Sequence, residues 1–192
     1  MTWMEAIATF FGLLCVWLTI RQHVFCWPAG LVQVLLFIFI FYDAKLYADV
    51  VLHIIYVILS MYGWINWSKP DRSQLAVTAV RHLPLWMIVV VAGTGLWGYA
   101  LTTFTDASVP YFDSFVVMAS LVAQWLMARK KLESWYFWIM ADIVAIGVYG
   151  YKALYMTTAL YFVFLILAVI GYAAWRKDLR TRKQLADSVI TT

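Results

Sequence analysis

Charged residues are scarce in this sequence. Only 12% of its 192 residues are Asp, Glu, Lys or Arg, whereas 65% are hydrophobic and 18% are aromatic, and the mean hydropathy is +0.83. Soluble domains carry about 25% charged residues, so this composition excludes an ordinary soluble fold. Because apolar runs recur along nearly the whole chain, we predict an all-α integral membrane protein that crosses the bilayer several times.

The residues and motifs of common enzyme classes are scarce too. Cys15 and Cys26 lack the spacing of a metal motif or of a redox-active thiol pair, so packing is the better interpretation of both. Of the three histidines only His53 lies inside an apolar run, which disfavours a haem held by two histidines. The sequence has neither a Walker A motif nor a chain of acidic residues for proton relay. We therefore predict that the protein is not an enzyme and binds no cofactor, and nothing in the sequence requires ATP or a coupled ion to drive it.

Seven apolar segments can be placed along the chain. They lie at about 4–20, 24–42, 46–67, 83–101, 111–128, 135–151 and 154–175. The first lacks a basic leader and a small-residue cleavage site, so we expect a retained membrane helix. Most connections are only a few residues long, which favours antiparallel packing of successive helices.

Basic residues fall almost entirely on one side of these segments. With seven spans and the N-terminus outside, twelve of the fourteen Lys and Arg residues face the cytoplasm, and only Lys45 and Lys152 face outward. This asymmetry follows the positive-inside rule and predicts a cytoplasmic C-terminus. It also explains the pI of about 9.1 without a nucleic-acid partner.

The chain aligns with itself at an offset of 108 residues. Residues 5–67 match 113–175 without a gap, with 13 identities in 63 positions, including Arg21 with Arg129 and three pairs of tryptophans. Four crossings separate corresponding helices, so both repeats have the same orientation. Parallel repeats of this kind occur in transporters that hold substrate near the membrane midplane.

The repeat predicts a 3+1+3 arrangement of seven transmembrane helices. We assign residues 1–67 to the first three-helix repeat, 68–110 to a linker with the fourth helix, 111–175 to the second repeat and 176–192 to a basic cytoplasmic tail. Function is expected where the two repeats meet.

Polar and aromatic residues follow one face of two predicted helices, because residues three or four apart share a helix face. The third helix carries Asp49, His53, Tyr56, Ser60 and Trp64, and the sixth carries Trp138, Asp142, Ala145 and Tyr149. Such a face turns to the protein interior or to a wet cavity. Gln33 on helix two and Gln124 on helix five add hydrogen-bonding groups. For Gln33, Gln124 and His53, ordinary interhelical hydrogen bonding is an equally good interpretation.

Six tryptophans lie near predicted helix ends, where an interfacial aromatic belt is the favoured interpretation. They are Trp3, Trp27, Trp67, Trp86, Trp135 and Trp175. Acidic residues at helix starts, such as Glu5 and Asp113, are explained by the helix dipole and need no ligand. Lys45 and Lys152 lie in equivalent outer loops and are interpreted as gate-side or lipid headgroup contacts, of which the headgroup contact is favoured.

Asp142 is the exception among the acidic residues, because it lies about eight residues inside its segment. A carboxylate at the bilayer centre costs roughly 2.5–3.5 kcal/mol on insertion scales. With Trp138 one turn away, it suits a flat cationic ring through charge pairing and stacking. Two other interpretations stay open: the acid is protonated, or it hydrogen-bonds to a Tyr or Ser for packing.

The quoted features resemble the PnuC family of bacterial vitamin transporters across roughly residues 5–177. The most specific pieces are LYAD and YGWINW within 46–67, the DS start at 113, ARK before helix six and the Trp-x-x-Trp at 135–138. The resemblance implies a SWEET-like 3+1+3 fold in the bacterial cytoplasmic (inner) membrane and allows a homotrimer. It also implies uptake of a vitamin precursor by facilitated diffusion with trapping by a cytosolic kinase.

The resemblance implies nicotinamide riboside as the typical substrate, with thiamine or riboflavin for other members. It makes Trp138 the stacking platform, places Trp135 nearer the cytoplasmic end and includes the positions of Asp142 and Gln33. The polar and aromatic helix faces add candidate contacts to the same site, namely Gln124, His53, Tyr56, Trp64 and Tyr149. In nicotinamide riboside members the position of Asp142 is often Asn, so thiamine, also a cation, stays the alternative. A SWEET-type sugar carrier is a more remote one, since a neutral sugar gives Asp142 no cationic partner.

Overall fold

The computed structural model of the protein describes residues 3–43, 45, 47–69, 76–105 and 108–190. These residues form seven α-helices: α1 (Trp3–Ile20), α2 (Cys26–Asp43), α3 (Tyr47–Trp67), α4 (Leu83–Phe104), α5 (Pro110–Ala128), α6 (Ser134–Tyr151) and α7 (Tyr155–Ile190). Each predicted apolar segment lies in one helix. The ends agree closely except at the C-terminus of α7, so hydropathy alone located the elements.

Six of the seven helices in the described ranges are long and apolar enough to cross a membrane, and α6 is the exception. Its 18 residues include Asp142 and five Trp or Tyr residues, which lower its mean hydropathy. Many of its residues are nevertheless buried by protein, among them Phe137, Ala141 and Ala145. A helix that packs against protein on much of its surface needs less apolar character than one that faces lipid. The span at α6 stays a prediction.

The helices form two compact units, one with α1–α3 and the other with α4–α7. In the first unit α2 contacts both α1 and α3, and in the second each helix contacts the next along the chain. Helix α4 approaches α5 closely, because a Cβ on Gly93 or Gly98 would lie under 3.0 Å from the side chain of Met118 or Tyr111. The helix that we predicted as a linker thus packs with the second repeat.

Helix α7 is longer than its predicted apolar segment. It has 36 residues and continues through most of the basic tail to Ile190. At 1.5 Å per residue it is about 54 Å long, well beyond the roughly 30 Å of a hydrocarbon core. An ion pair between Asp178 and Arg182, one turn apart at 3.0 Å, lies in this extension.

The same pair of tryptophans occurs in each unit. Trp27 packs edge-to-face on Trp67 with ring centroids 5.4 Å apart, and Trp135 packs on Trp175 at 5.5 Å. All four rings are at most 5% exposed. The prediction of an interfacial belt is therefore wrong for these four, because their rings fill the interior between helices instead of facing headgroups. Trp3, by contrast, is 69% exposed.

Glycines make room for the two buried rings. A Cβ on Gly63 would clash with Trp27, and one on Gly171 would clash with Trp135. Each glycine lies four residues before the partner tryptophan, so glycine and ring share one helix face. Small residues at such positions let membrane helices approach closely. This repeated Gly-x-x-x-Trp spacing is the signal that could have predicted the buried pairs.

Other local features also recur 108 residues apart. Arg21 lies over the Trp17 ring at 4.9 Å, and Arg129 lies over Trp125 at 4.3 Å. Positive φ angles recur as well, at Gln22 and Lys130 and again at Lys45 and Ala153. These matches support the duplication, which stays a prediction.

We expect Gly171→Ala to destabilise the protein by about 1–3 kcal/mol, because the added methyl group overpacks the Trp135 site. Gly147→Ala on α6 is the matched control, since a Cβ there meets no atom within 4 Å. That change should be neutral, or stabilising by up to about 1 kcal/mol. Thermal unfolding in detergent, followed by tryptophan fluorescence, measures both. Equal midpoints for the two variants would contradict the close packing at Gly171.

Candidate substrate site

Helix α6 carries the predicted acid, and its first turn is tied down by side-chain and backbone contacts. The Ser134 hydroxyl is fully buried and donates to the Lys131 carbonyl at 2.7 Å. Trp135 and Phe137 fill the interior at 2% and 0% exposure. These contacts fix the start of the helix, so the position of Asp142 two turns further on is set by rigid helix geometry.

The side chain of Asp142 is buried in the second unit. It is 4% exposed, and among the described residues none donates a hydrogen bond to its carboxylate and no cation pairs with it. The interpretation of Asp142 as an acid bound to Tyr or Ser for packing therefore finds no support among these residues. A buried carboxylate without a partner is costly, so such groups mark functional sites in membrane helices.

Trp138 lies one turn before Asp142, on the same side of α6. Its ring is partly buried and packs against a core that α4, α5 and α6 build together, which includes Val90, Ala119 and Phe137. Ala141 and Ala145, at 1% and 0% exposure, flank Asp142 on the buried face. Their small side chains let neighbouring helices approach α6 closely. An aromatic ring and an acid are thus held in fixed register.

The other predicted site residues of the second unit differ in how much of the side chain a ligand could contact. Gln124 on α5 is half-buried and already has an interaction partner. The Tyr149 ring stacks on Tyr161 with centroids 5.1 Å apart. Trp135 is 2% exposed beside Trp175, so in this structure its ring supports α6 instead of offering a face to a ligand.

The first unit holds the remaining predicted residues. His53 on α3 lies among the rings of Phe37, Phe41 and Tyr56, with centroids 4.9–5.8 Å from its own. Its Nδ1 donates to the Asp49 carbonyl at 2.8 Å, since a carbonyl oxygen can only accept. That bond leaves Nε2 as the ring atom available to a ligand.

Gln33 and Trp64 lie elsewhere in the first unit. The Gln33 amide on α2 lies against α1, because a Cβ on Gly12 would come 2.7 Å from its Nε2. Trp64 on α3 is 43% exposed and lines a shallow groove with Ile65, Ser68 and Lys69. Gln33 thus occupies a helix contact, and Trp64 lies at the surface of its unit.

Sequence reasoning missed an ion pair at the far end of α6. Lys152 Nζ donates to both carboxylate oxygens of Asp113 at 2.9 Å, so its interpretation as a headgroup contact is incomplete. Helices α5 and α6 are antiparallel neighbours, which brings the start of α5 to the end of α6. That adjacency, readable from the short connection between them, is the signal that could have predicted the pair.

Seven helices in the described residues, six of them apolar enough to cross a membrane, define a multi-pass membrane protein. The buried acid one turn from an aromatic ring on α6 is its candidate site. The chain matches the family described as "Nicotinamide mononucleotide transporter" over residues 2–177. It therefore belongs to that family, which is one of transporters and not of enzymes.

Characterised relatives extend over nearly the whole chain. The nicotinamide riboside transporter PnuC of Escherichia coli (strain K12) is 27% identical, covering 98% of this chain and 91% of that protein. The riboflavin/roseoflavin transporter RibM of Streptomyces davaonensis is 22% identical, covering 93% of this chain and 88% of that protein. A crystal structure of the vitamin B3 transporter PnuC has a TM-score of 0.74 at 25% identity, covering 93% of this chain and 83% of that one.

We expect Asp142→Asn to stabilise the substrate-free protein by roughly 1–2 kcal/mol, because it removes an unpaired buried carboxylate at almost constant volume. Asp113→Asn is the matched control. It breaks the partly exposed ion pair with Lys152 and should lower stability by about 0.2–1 kcal/mol. Thermal unfolding without ligand gives both shifts. A lower midpoint for Asp142→Asn would show that the carboxylate has a stabilising partner.

Proposed function

We propose that this protein imports a flat, cationic vitamin precursor, with nicotinamide riboside as the first candidate. The observation that carries the proposal is the buried Asp142 carboxylate, which has no partner among the described residues and lies one turn from the Trp138 ring on α6. Nicotinamide riboside has a pyridinium ring, which combines a positive charge with a flat face. The names of the PnuC relatives support the same substrate.

Charge pairing and stacking reinforce each other in this arrangement. A cation beside Asp142 would offset the penalty of burying the carboxylate, and the Trp138 ring would hold the flat face of the same group. In the proposed site Gln124 and Tyr149 of the same unit supply polar and aromatic contacts to the rest of the substrate. Gln33, His53, Tyr56 and Trp64 of the first unit stay predicted contacts. Trp135 acts through the position of α6.

The proposed cycle is facilitated diffusion by alternating access in a bacterial cytoplasmic membrane. Substrate enters from outside, and the two three-helix repeats rock to open inward. A cytosolic kinase traps the imported substrate by phosphorylation. The concentration gradient of the free substrate across the membrane therefore drives net uptake. The N-terminus lies outside and the C-terminus in the cytoplasm. The strong asymmetry of Lys and Arg residues supports this orientation.

Thiamine is the second candidate, and Asp142 is the observation that favours it. Its thiazolium ring is also a flat cation, and an acid here replaces the Asn that the resemblance associates with nicotinamide riboside. Riboflavin, which RibM carries by name, is uncharged and would leave Asp142 unpaired. A neutral sugar would do the same.

Binding to the purified protein tests the proposal. We expect nicotinamide riboside to quench tryptophan fluorescence and to bind in calorimetry. Asp142→Ala should weaken binding by at least about tenfold, since it removes a charged contact that contributes roughly 1.5–3 kcal/mol. Trp138→Ala should weaken it by several-fold, since a stacked cation contributes about 0.5–2 kcal/mol.

Trp97→Ala is the control variant, because Trp97 on α4 is 39% exposed and is not part of the proposed site. It should bind like the parent. Thiamine and riboflavin are titrated in parallel. Tight binding of thiamine alone would support the proposed site but identify thiamine, and not nicotinamide riboside, as the substrate. Riboflavin binding that is unaffected by Asp142→Ala would contradict the cationic substrate class.

A further inference from the structure

The segment before α4 is hydrogen-bonded to the loop between α5 and α6. Thr78 N–H donates to the Lys130 carbonyl at 3.1 Å, and Leu132 N–H donates to the Thr78 carbonyl at 3.0 Å. Thr78 and Lys131 thus form an isolated parallel β-bridge. Lys131 Nζ also donates to the Thr78 hydroxyl at 2.8 Å. We call these contacts, between residues 77–82 and 130–133, the linker latch.

Two buried groups strengthen the latch. Val77 is 1% exposed, so its side chain anchors the segment in the second unit. Glu133 is 9% exposed, and its Oε2 accepts the Val80 N–H at 2.8 Å. Although Glu133 directly precedes α6, it makes no side-chain cap to that helix. Its carboxylate is therefore committed to the segment before α4.

The corresponding loop of the first unit is built differently. The repeat alignment places His23 at the position of Lys131 and Phe25 at the position of Glu133. His23 stacks on Phe25 with centroids 5.3 Å apart, and Phe25 is 61% exposed. No carboxylate is available at this position to accept a backbone N–H. The latch residues thus belong to the loop that leads into the helix with Trp138 and Asp142.

We propose that Glu133 is a positioning residue for transport, and that the linker latch stays closed throughout the cycle so that α4 moves with α5–α7 as one body. The latch joins the start of α4 to the start of α6. Further along α4, the close packing at Gly93 and Gly98 joins α4 to α5. Helices α4–α7 then keep their positions relative to one another while they move, and α6 carries Trp138 and Asp142 with them. This inference rests on the proposed transport function.

Cross-linking tests whether the latch opens. Bridged strands lie about 4.8 Å apart, within the Cα separation that a disulfide spans, so the double variant Thr78→Cys/Lys131→Cys can be oxidised. The background is Cys15→Ala/Cys26→Ala, which removes the native thiols. We expect the cross-linked protein, in liposomes, to keep at least half the uptake of its reduced form. Uptake that is lost on oxidation and restored by reduction would overturn the proposal.

Variants of Glu133 test its positioning role. Glu133→Ala removes the acceptor and should raise the substrate Kd three- to tenfold, whereas Glu133→Gln keeps an acceptor oxygen and should restore binding to within twofold of the parent. Asp178→Ala, which breaks an exposed ion pair on α7, is the control and should leave Kd unchanged. Equal Kd values for Glu133→Ala and the parent would contradict the role of Glu133.

Hydrogen exchange without substrate separates failure of the latch from failure of the proposed function. Glu133→Ala should speed exchange in peptides that contain Thr78 and Val80, whose amides are hydrogen-bonded in the latch. This result is expected whichever vitamin is carried. Unchanged exchange in these peptides would show that Glu133 does not hold the segment, even if the protein transports nicotinamide riboside.

Discussion

The close approach of α6 to α7 at Gly171, where the Trp135 ring takes the space of a side chain, positions the helix on which the site depends. The same helix is held by the linker latch at its start and by the pair of Lys152 with Asp113 at its end. Between these two anchored ends, Asp142 is buried and has no partner among the residues that the structure describes. Contacts with other parts of the second unit thus hold both ends of α6, and a buried acid lies at its centre. This arrangement is expected of the proposed site, in which a cationic ligand would pair with the carboxylate.

Much of this architecture was predictable from the sequence because it follows from local hydropathy. Apolar runs located all seven helices, and the depth of Asp142 within its run identified the unusual acid. The burial of Trp27 and Trp135 was not predicted, since an apolar ring is equally suited to lipid, headgroup and protein surroundings. The bond between Glu133 and Val80 joins residues 53 positions apart, and only the packing of α4 against α5 brings them together.

The repeats share their folding contacts but differ where function is proposed. Equivalent positions hold the same Trp–Trp pair, the same Arg over Trp contact and the same positive φ angles. Asp142, in contrast, corresponds to Val34, and Trp138 corresponds to Gly30. A duplicated fold can keep its packing residues in both repeats and change other positions in one of them. It can thereby acquire a charged site in that repeat alone. In the first unit, His53 lies among aromatic rings instead.

The central claim is that Asp142 recognises positive charge on the substrate. The most direct measurement compares the affinity of nicotinamide riboside with that of its dihydro form, which has nearly the same shape but a neutral ring, in the parent protein and in Asp142→Asn. We expect the parent to prefer the cation by at least about tenfold, or 1.4 kcal/mol, and the variant to lose most of this preference. An equal preference in both proteins would contradict it.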